Sequence, residues 1–240
     1  WSEGEVGMSV EEDYQAWEEY PQYRWIFNKL DFALRMGYHA GPTGVPIKRA
    51  GMYIVRPTYN LYGMGIGAKK MFLVPSRDAE DMIALAHVPP GYFWCEYLRG
   101  KHYSVDLVRE NGRWVPFCTT VGIHRSDDDL VMFDSWERID TPDDLKIPDF
   151  VRKVIEGPKY LNLEMKDNNV FEIHLRSGND HCWDYPIGTV MYPVWNSDSE
   201  EYRSDLPFVG NLHPDSFLYS ASGHLQSTRL GYRVKVPSKV

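Results

Sequence analysis

Cysteine is scarce in this chain: Cys95, Cys118 and Cys182 are an odd number with no metal-type spacing. Such usage argues against a disulfide framework, and a reduced, cytoplasmic compartment is the simplest expectation. No apolar run approaches the roughly 20 residues of a membrane span, and no secretory h-region stands at the N-terminus, so no membrane partner is expected. Basic residues are outnumbered, 26 against 34 acidic, for a net charge of −8. That balance makes nucleic acid an improbable partner, although a local basic groove is compatible with it. Internal repeats and low-complexity segments are lacking. So is an initiator methionine: the sequence starts at Trp1, as a trimmed piece or part of a longer protein would.

What is present suits one larger domain or two small lobes. The 240 residues are 43% hydrophobic and 25% charged, enough to bury a core. The most informative stretch is Tyr160 to Asp180. It reads as two strands joined by the turn residues Asp167-Asn168-Asn169. With that loop, Glu164 faces Glu172, Asn162 faces His174, and Arg176 lies two residues further along the same face. Leu161, Leu163, Ile173 and Leu175 take the opposite face. Two carboxylates placed opposite each other repel, and a divalent cation such as Mg²⁺ reverses the sign. A solvent-facing hairpin with ordinary charged residues is the plainer alternative.

Before the hairpin the pattern predicts, in order, several short elements. A capping box at Ser9-Val10-Glu11-Glu12 starts an acidic helix to about Tyr20, which Pro21 ends. A second helix runs from Gln22 to a stop at Gly37, and Gly41 to Pro46 is loop. Strands at Gly51–Pro57 and Met71–Val74 flank the glycine-rich Asn60 to Lys70, where backbone N–H groups can approach an anion closely. A short helix is expected at Asp78 to Ala86. Tyr92–Leu98, His102–Arg109, Trp114–His124 and Leu130–Trp136 read as strands, the middle ones an antiparallel meander. Pro142 to Glu156 looks helical, with Pro148 as a break. After Trp183 the chain turns Pro- and Ser-rich, ending in a short strand at Gly231–Val236. Asp180-His181-x-x-Asp184 sets a His between two carboxylates close to the hairpin end: it reads first as a polar loop, with a catalytic or metal-binding part of the same site as the alternative, and His213 and His224 read as structural. Ser220 to His224 lacks the GxSxG of a nucleophile elbow.

The order of these pieces resembles the nucleotide-binding core of the ATP-grasp superfamily. Five segments carry the resemblance: Asn28-Lys29 on a helix, Val55-Arg56-Pro57, the loop Gly63-Met64-Gly65-Ile66-Gly67-Ala68, Glu96-Tyr97-Leu98 followed by Gly100, and Glu172-Ile173-His174-Leu175-Arg176. They span about residues 25–180. The resemblance implies an α+β fold of two small lobes whose antiparallel sheets enclose a nucleotide. Residues 1–21 would be an extension, 22–98 the first lobe and 99–240 the second. It also implies an ATP- and Mg²⁺-dependent ligase that turns a carboxylate into an acylphosphate for attack by an amine. Glu172, Glu164 and His174 would then hold metal. Lys29, Arg56 and one of Lys69 or Lys70 would contact phosphate beneath Gly63, Gly65 and Gly67. Glu96, Tyr97 and Leu98 would meet adenine and ribose, and Arg176, with Arg56, would serve the reacting groups. His102 and Asp106 either face the nucleotide or are simple turn and strand residues.

Three positions depart from the family pattern. Arg56 replaces a lysine, His174 replaces a metal-ligating asparagine, and Glu164 precedes Glu172 by only eight residues. The customary N-terminal substrate lobe is absent or reduced to some twenty residues, so an accessory domain or partner chain would complete the substrate site. A non-catalytic nucleotide or metabolite binder, or an interaction protein, is the competing expectation.

Overall fold

The computed structural model describes residues 12–61, 67–75, 88–126, 130, 132–210, 217–219 and 225–238. Two sheets dominate it, and every pairing among the described strands is antiparallel. The smaller contains β1 (Ala40–Pro42), β2 (Gly51–Pro57), β3 (Lys69–Leu73) and β4 (Tyr92–Glu96), in the order β1-β4-β2-β3. The larger is built from β5 (His102–Glu110), β6 (Arg113–His124), β7 (Phe133–Ile139), β8 (Tyr160–Lys166), β9 (Asn169–His174), β10 (Val190–Trp195), β11 (Phe208–Gly210), β12 (Phe217–Tyr219) and β13 (Leu225–Lys235). Its path runs β11-β13-β10-β7-β6-β5-β8-β9, with β12 paired to β13.

The apolar face of the large sheet forms the main core. Val105, Leu107, Leu161, Leu163, Ile173 and Leu175 all lie there, at most 2% exposed. Four helices help cover it: α1 (Asp13–Glu19), α2 (Arg24–Phe27), α3 (Lys29–Arg35) and α4 (Asp149–Val154). Ala16, Phe27, Phe32 and Val151 are their buried contributions. Because β9 is the edge strand, helices packed beside it also shield an otherwise open edge. Ala33 packs against Phe93 and Cys95 of the smaller sheet, so α3 touches both layers.

Several boundaries differ from the sequence expectation. The first helix starts at Asp13, because the capping box is Glu12 with Gln15; Ser9 lies outside the described residues. The expected helix from Gln22 to Gly37 breaks at Asn28, whose Oδ1 accepts from Asp31 N at 3.0 Å and caps a new helix. Gly41 and Pro42, expected in a loop, belong to β1 and pair with Trp94 and Phe93 of β4. The helix expected over Pro142 to Glu156 is cut at Pro148, as expected: only Asp149–Val154 is helical, and Pro148 is its N-cap, where the lack of an N–H costs nothing. The expected helix at Asp78 to Ala86 and the glycines at 63 and 65 fall outside the described residues. β10 and β11 carry no period-two polar alternation and went unread.

The central hairpin has the expected partners by a different route. Asn162 pairs with His174 and Glu164 with Glu172, yet the turn itself is the two residues Asp167-Asn168. A register shift follows Glu164, opposite Phe171, and restores the pairing that a three-residue loop would have produced. The hairpin tip is locked to the chain leaving the smaller sheet. Asp167 Oδ1 accepts from Lys101 N at 2.9 Å, and Asp167 N donates to Lys101 O at 2.9 Å. Gly100 sits at φ +118°, and a Cβ there would overlap the Asp167 carboxylate. Gly100→Ala should therefore lower the stability measured by urea unfolding by about 2 kcal/mol. An unchanged urea midpoint would contradict this account of the junction.

Candidate functional site

The polar face of the large sheet is built by strand alternation. On β5, His102, Ser104 and Asp106 point away from the core that holds Val105 and Leu107. Register then sets Ser104 beside Glu164 and Glu164 beside Glu172, while Asp106 stands beside Asn162 and Asn162 beside His174. A cavity of about 280 Å³ opens over this face. Its opposite wall is Ile54, Arg56 and the segment Cys95 to Leu98 of the smaller sheet.

Each carboxylate here has protein cations or donors around it. Glu172 Oε1 accepts from Lys29 Nζ at 2.5 Å, and Oε2 lies 3.4 Å from an Arg56 guanidinium nitrogen. Burial would raise the Glu172 carboxyl, but the charges of Lys29, His174 and Arg56 outweigh it and hold it down at about 2. Glu164 Oε2 accepts from His102 Nε2 at 2.5 Å, and this bond with the His102 charge overcomes burial to keep Glu164 below its usual range. Because the carboxylate can only accept, His102 Nε2 is the donor in this bond. His174 Nδ1 donates to Asp13 Oδ2 at 2.8 Å, and Arg176 Nε donates to Asp13 Oδ1 at 3.1 Å. Burial pushes the Asp13 carboxyl up, yet Arg176 and His174 drive it well below the ordinary carboxylate range. His174 moves the other way: burial lowers it, and Asp13 more than compensates.

Of the residues expected from sequence, Arg56, Glu96, Tyr97, Leu98, Glu164, Glu172, His174 and Arg176 line the cavity. Lys29 reaches it through Glu172. Gly67 is described, at φ +78°, but does not line the cavity. Neither do Lys69 and Lys70, and the Lys70 ammonium lies 5.0 Å from the ring of Tyr97. Glu96 Oε1 also accepts from His39 N at 2.7 Å, which anchors that side chain to the smaller sheet's edge. His102 lines the cavity, whereas Asp106 is fully buried behind it.

Mg²⁺ does not fit this arrangement. Among the described residues no group of three or more His, Cys, Asp or Glu side chains is disposed to hold a metal ion. A cation at Glu172 would have to displace Lys29 and Arg56, and His174 spends Nδ1 on Asp13. Asp13 itself was missed: it sits in the first turn of α1, far from the hairpin in sequence, and nothing in its spacing points there. The polar alternation of His102, Ser104 and Asp106 in an otherwise apolar strand was the only signal for the row behind the site.

No family model matches the sequence, nor does any curated protein. Solved structures do resemble the fold. N5-carboxyaminoimidazole synthetase from Staphylococcus aureus, complexed with ADP, superposes with a TM-score of 0.51 at 14% identity, covering 96% of this chain and 71% of that one. The chain has the ATP-grasp fold. The ATP complex of carboxyaminoimidazole ribonucleotide synthase from Aspergillus clavatus gives a TM-score of 0.49 at 14% identity, over 94% of this chain and 74% of that one. L-amino acid ligase from Bacillus licheniformis gives 0.48 at 9% identity, over 85% and 65%. Within this fold the antiparallel pair β8–β9 and the segment Cys95 to Leu98 face each other across one cavity.

Glu172→Gln should expose what Glu172 contributes. It would leave Lys29 and Arg56 without their carboxylate, costing about 3 kcal/mol at neutral pH. The folded carboxyl lies at about 2 against an ordinary 4.5, so its stabilisation is complete above pH 4.5 and is lost as pH falls toward 2. Denaturant unfolding of both proteins across that window checks this. The difference between them should shrink on acidification, and a constant difference would contradict the assignment.

Proposed function

We propose that this chain binds ATP in the cavity between its two sheets and uses it to join a carboxylate to an amine. The carrying observation is the placement of Lys29, Arg56 and Arg176 around Glu172 and Asp13, opposite the Cys95 to Leu98 wall. Phosphoryl transfer depends on positioning and charge neutralisation, and these permanent cations supply both. On this reading the base lies against Ile54 and the Cys95 to Leu98 backbone. Lys29 and Arg56 exchange Glu172 for phosphate oxygens, and Arg176 orients the carboxylate. The carboxylate oxygen attacks the terminal phosphorus and ADP leaves. The amine then attacks the acyl carbon, forming C–N and breaking C–O, and phosphate departs. No step is assigned to a metal. The ADP complex of the Staphylococcus aureus synthetase supports nucleotide binding in such a fold, and the carboxylate and amine follow from the resemblance.

A second reading, nucleotide binding without turnover, has one observation in its favour. Glu172 and Glu164 are both closed by protein cations or donors, leaving no open pair of carboxylates.

Thermal unfolding with millimolar ATP, with and without Mg²⁺, tests the shared part. A ligand at 100 times its dissociation constant adds about 2.7 kcal/mol, seen as a rise of several degrees. Arg56→Met should reduce that rise. ADP release that depends on added carboxylate and amine supports ligation, and a thermal rise without it supports the second reading. No rise under any condition would sink both.

A further inference from the structure

Asp106, 0% exposed, is the hub of a network directly behind the cavity. It accepts from Asn162 Nδ2 at 2.8 Å, Gly178 N at 2.9 Å, Asn179 N at 2.9 Å and Trp183 Nε1 at 2.8 Å. The second Nδ2 hydrogen of Asn162 goes to Ser104 Oγ at 2.9 Å. This geometry fixes which way the amide faces. A carboxylate beside it accepts only, so turning the amide over would set one oxygen against another. Asn162 Oδ1 is therefore held away from Asp106, and there it has no hydrogen-bond partner. Asn162 is 1% exposed and lines the cavity. Gly178 closes over it from one side, since a Cβ at that position would come within 2.7 Å of the Asn162 amide. His174 is its cross-strand partner, and Arg176 follows on the same face.

A buried acceptor without a donor is costly, and a site that keeps one is shaped for a ligand N–H. Phosphates and a carboxylate bring acceptors only. Resting on the ligase reading above, we propose that Asn162 Oδ1 receives an N–H of the amine co-substrate, with Asp106 as the positioning residue behind it. Accepting one N–H leaves the nitrogen lone pair free for the acyl carbon. As C–N forms and C–O breaks, phosphate leaves with the bonding electrons and with the proton that nitrogen sheds. Asn162 itself neither gains nor loses a proton. The adenine amino group is the other N–H in the reaction, and it is separable by experiment because it belongs to the nucleotide.

The test uses the full chain, ATP, hydroxylamine as the nucleophile probe, and a panel of mono- and dicarboxylates without amino groups as carboxylate probes, with hydroxamate as the product read. In Asn162→Ala the half-saturating hydroxylamine should rise on the order of tenfold while that for ATP stays put. Asp106→Asn, which keeps the volume but lets the amide turn over, should move the same quantity in the same direction and serves if Asn162→Ala does not fold. Trp183→Phe removes another donor to Asp106 without touching Asn162 or the cavity, so it should cost stability alone. Unchanged hydroxylamine dependence in both site variants would overturn the assignment. So would an equal rise for ATP, which would give the acceptor to the adenine, or an equal rise in Trp183→Phe, which would reduce the network to a structural one. Hydroxamate absent from the wild type with every carboxylate would instead remove the ligase reading, and the amine site with it.

Discussion

A row of carboxylates on the face of an antiparallel pair is unfavourable unless something outside the pair supplies the opposite charge. Here that supply comes from three separate places. Lys29 arrives from α3, Arg56 from the end of β2 and His102 from the start of β5, and they converge on Glu172 and Glu164. Asp13 from α1 answers in turn for His174 and Arg176. The ion pairs therefore do more than neutralise charge. They tie the helices and the smaller sheet to the polar face of the larger one, across the cavity that separates them.

Buried ion pairs contribute little net stability compared with apolar packing, because desolvation offsets most of their attraction. The apolar face of β5, β8 and β9 already supplies a packed core. Retaining charges on the reverse face thus makes more sense as chemistry than as stabilisation. It leaves a cavity beside which the cations Lys29, Arg56 and Arg176 are held by carboxylates.

Asp106 shows a different use of a buried carboxylate. Burial raises its carboxyl to about 6 even against four donors. Its stabilisation runs opposite to that of Glu172, being greatest when protonated at low pH and lost as pH rises from about 4 toward 6. What it supplies is orientation: it fixes the Asn162 amide and gathers the backbone of Gly178, which lines the cavity, and of buried Asn179.

The strands were legible from sequence because period-two alternation survives wherever one face is buried and the other polar. Gly51–Pro57 matches to the residue, and Glu164 and Glu172 were correctly paired even though the turn was counted one residue too long. Short helices were less legible. Asn28 starts a new helix where the apolar pattern ran straight through, since capping is decided by a single side chain. The sequence by itself determined which residues share a strand face, and hence that two glutamates, an asparagine, a histidine and an arginine stand together. Only the tertiary structure decided what meets them. Asp13 and Lys29 reach that face from helices 161 and 143 residues away in the chain, and no local periodicity carries such a distance.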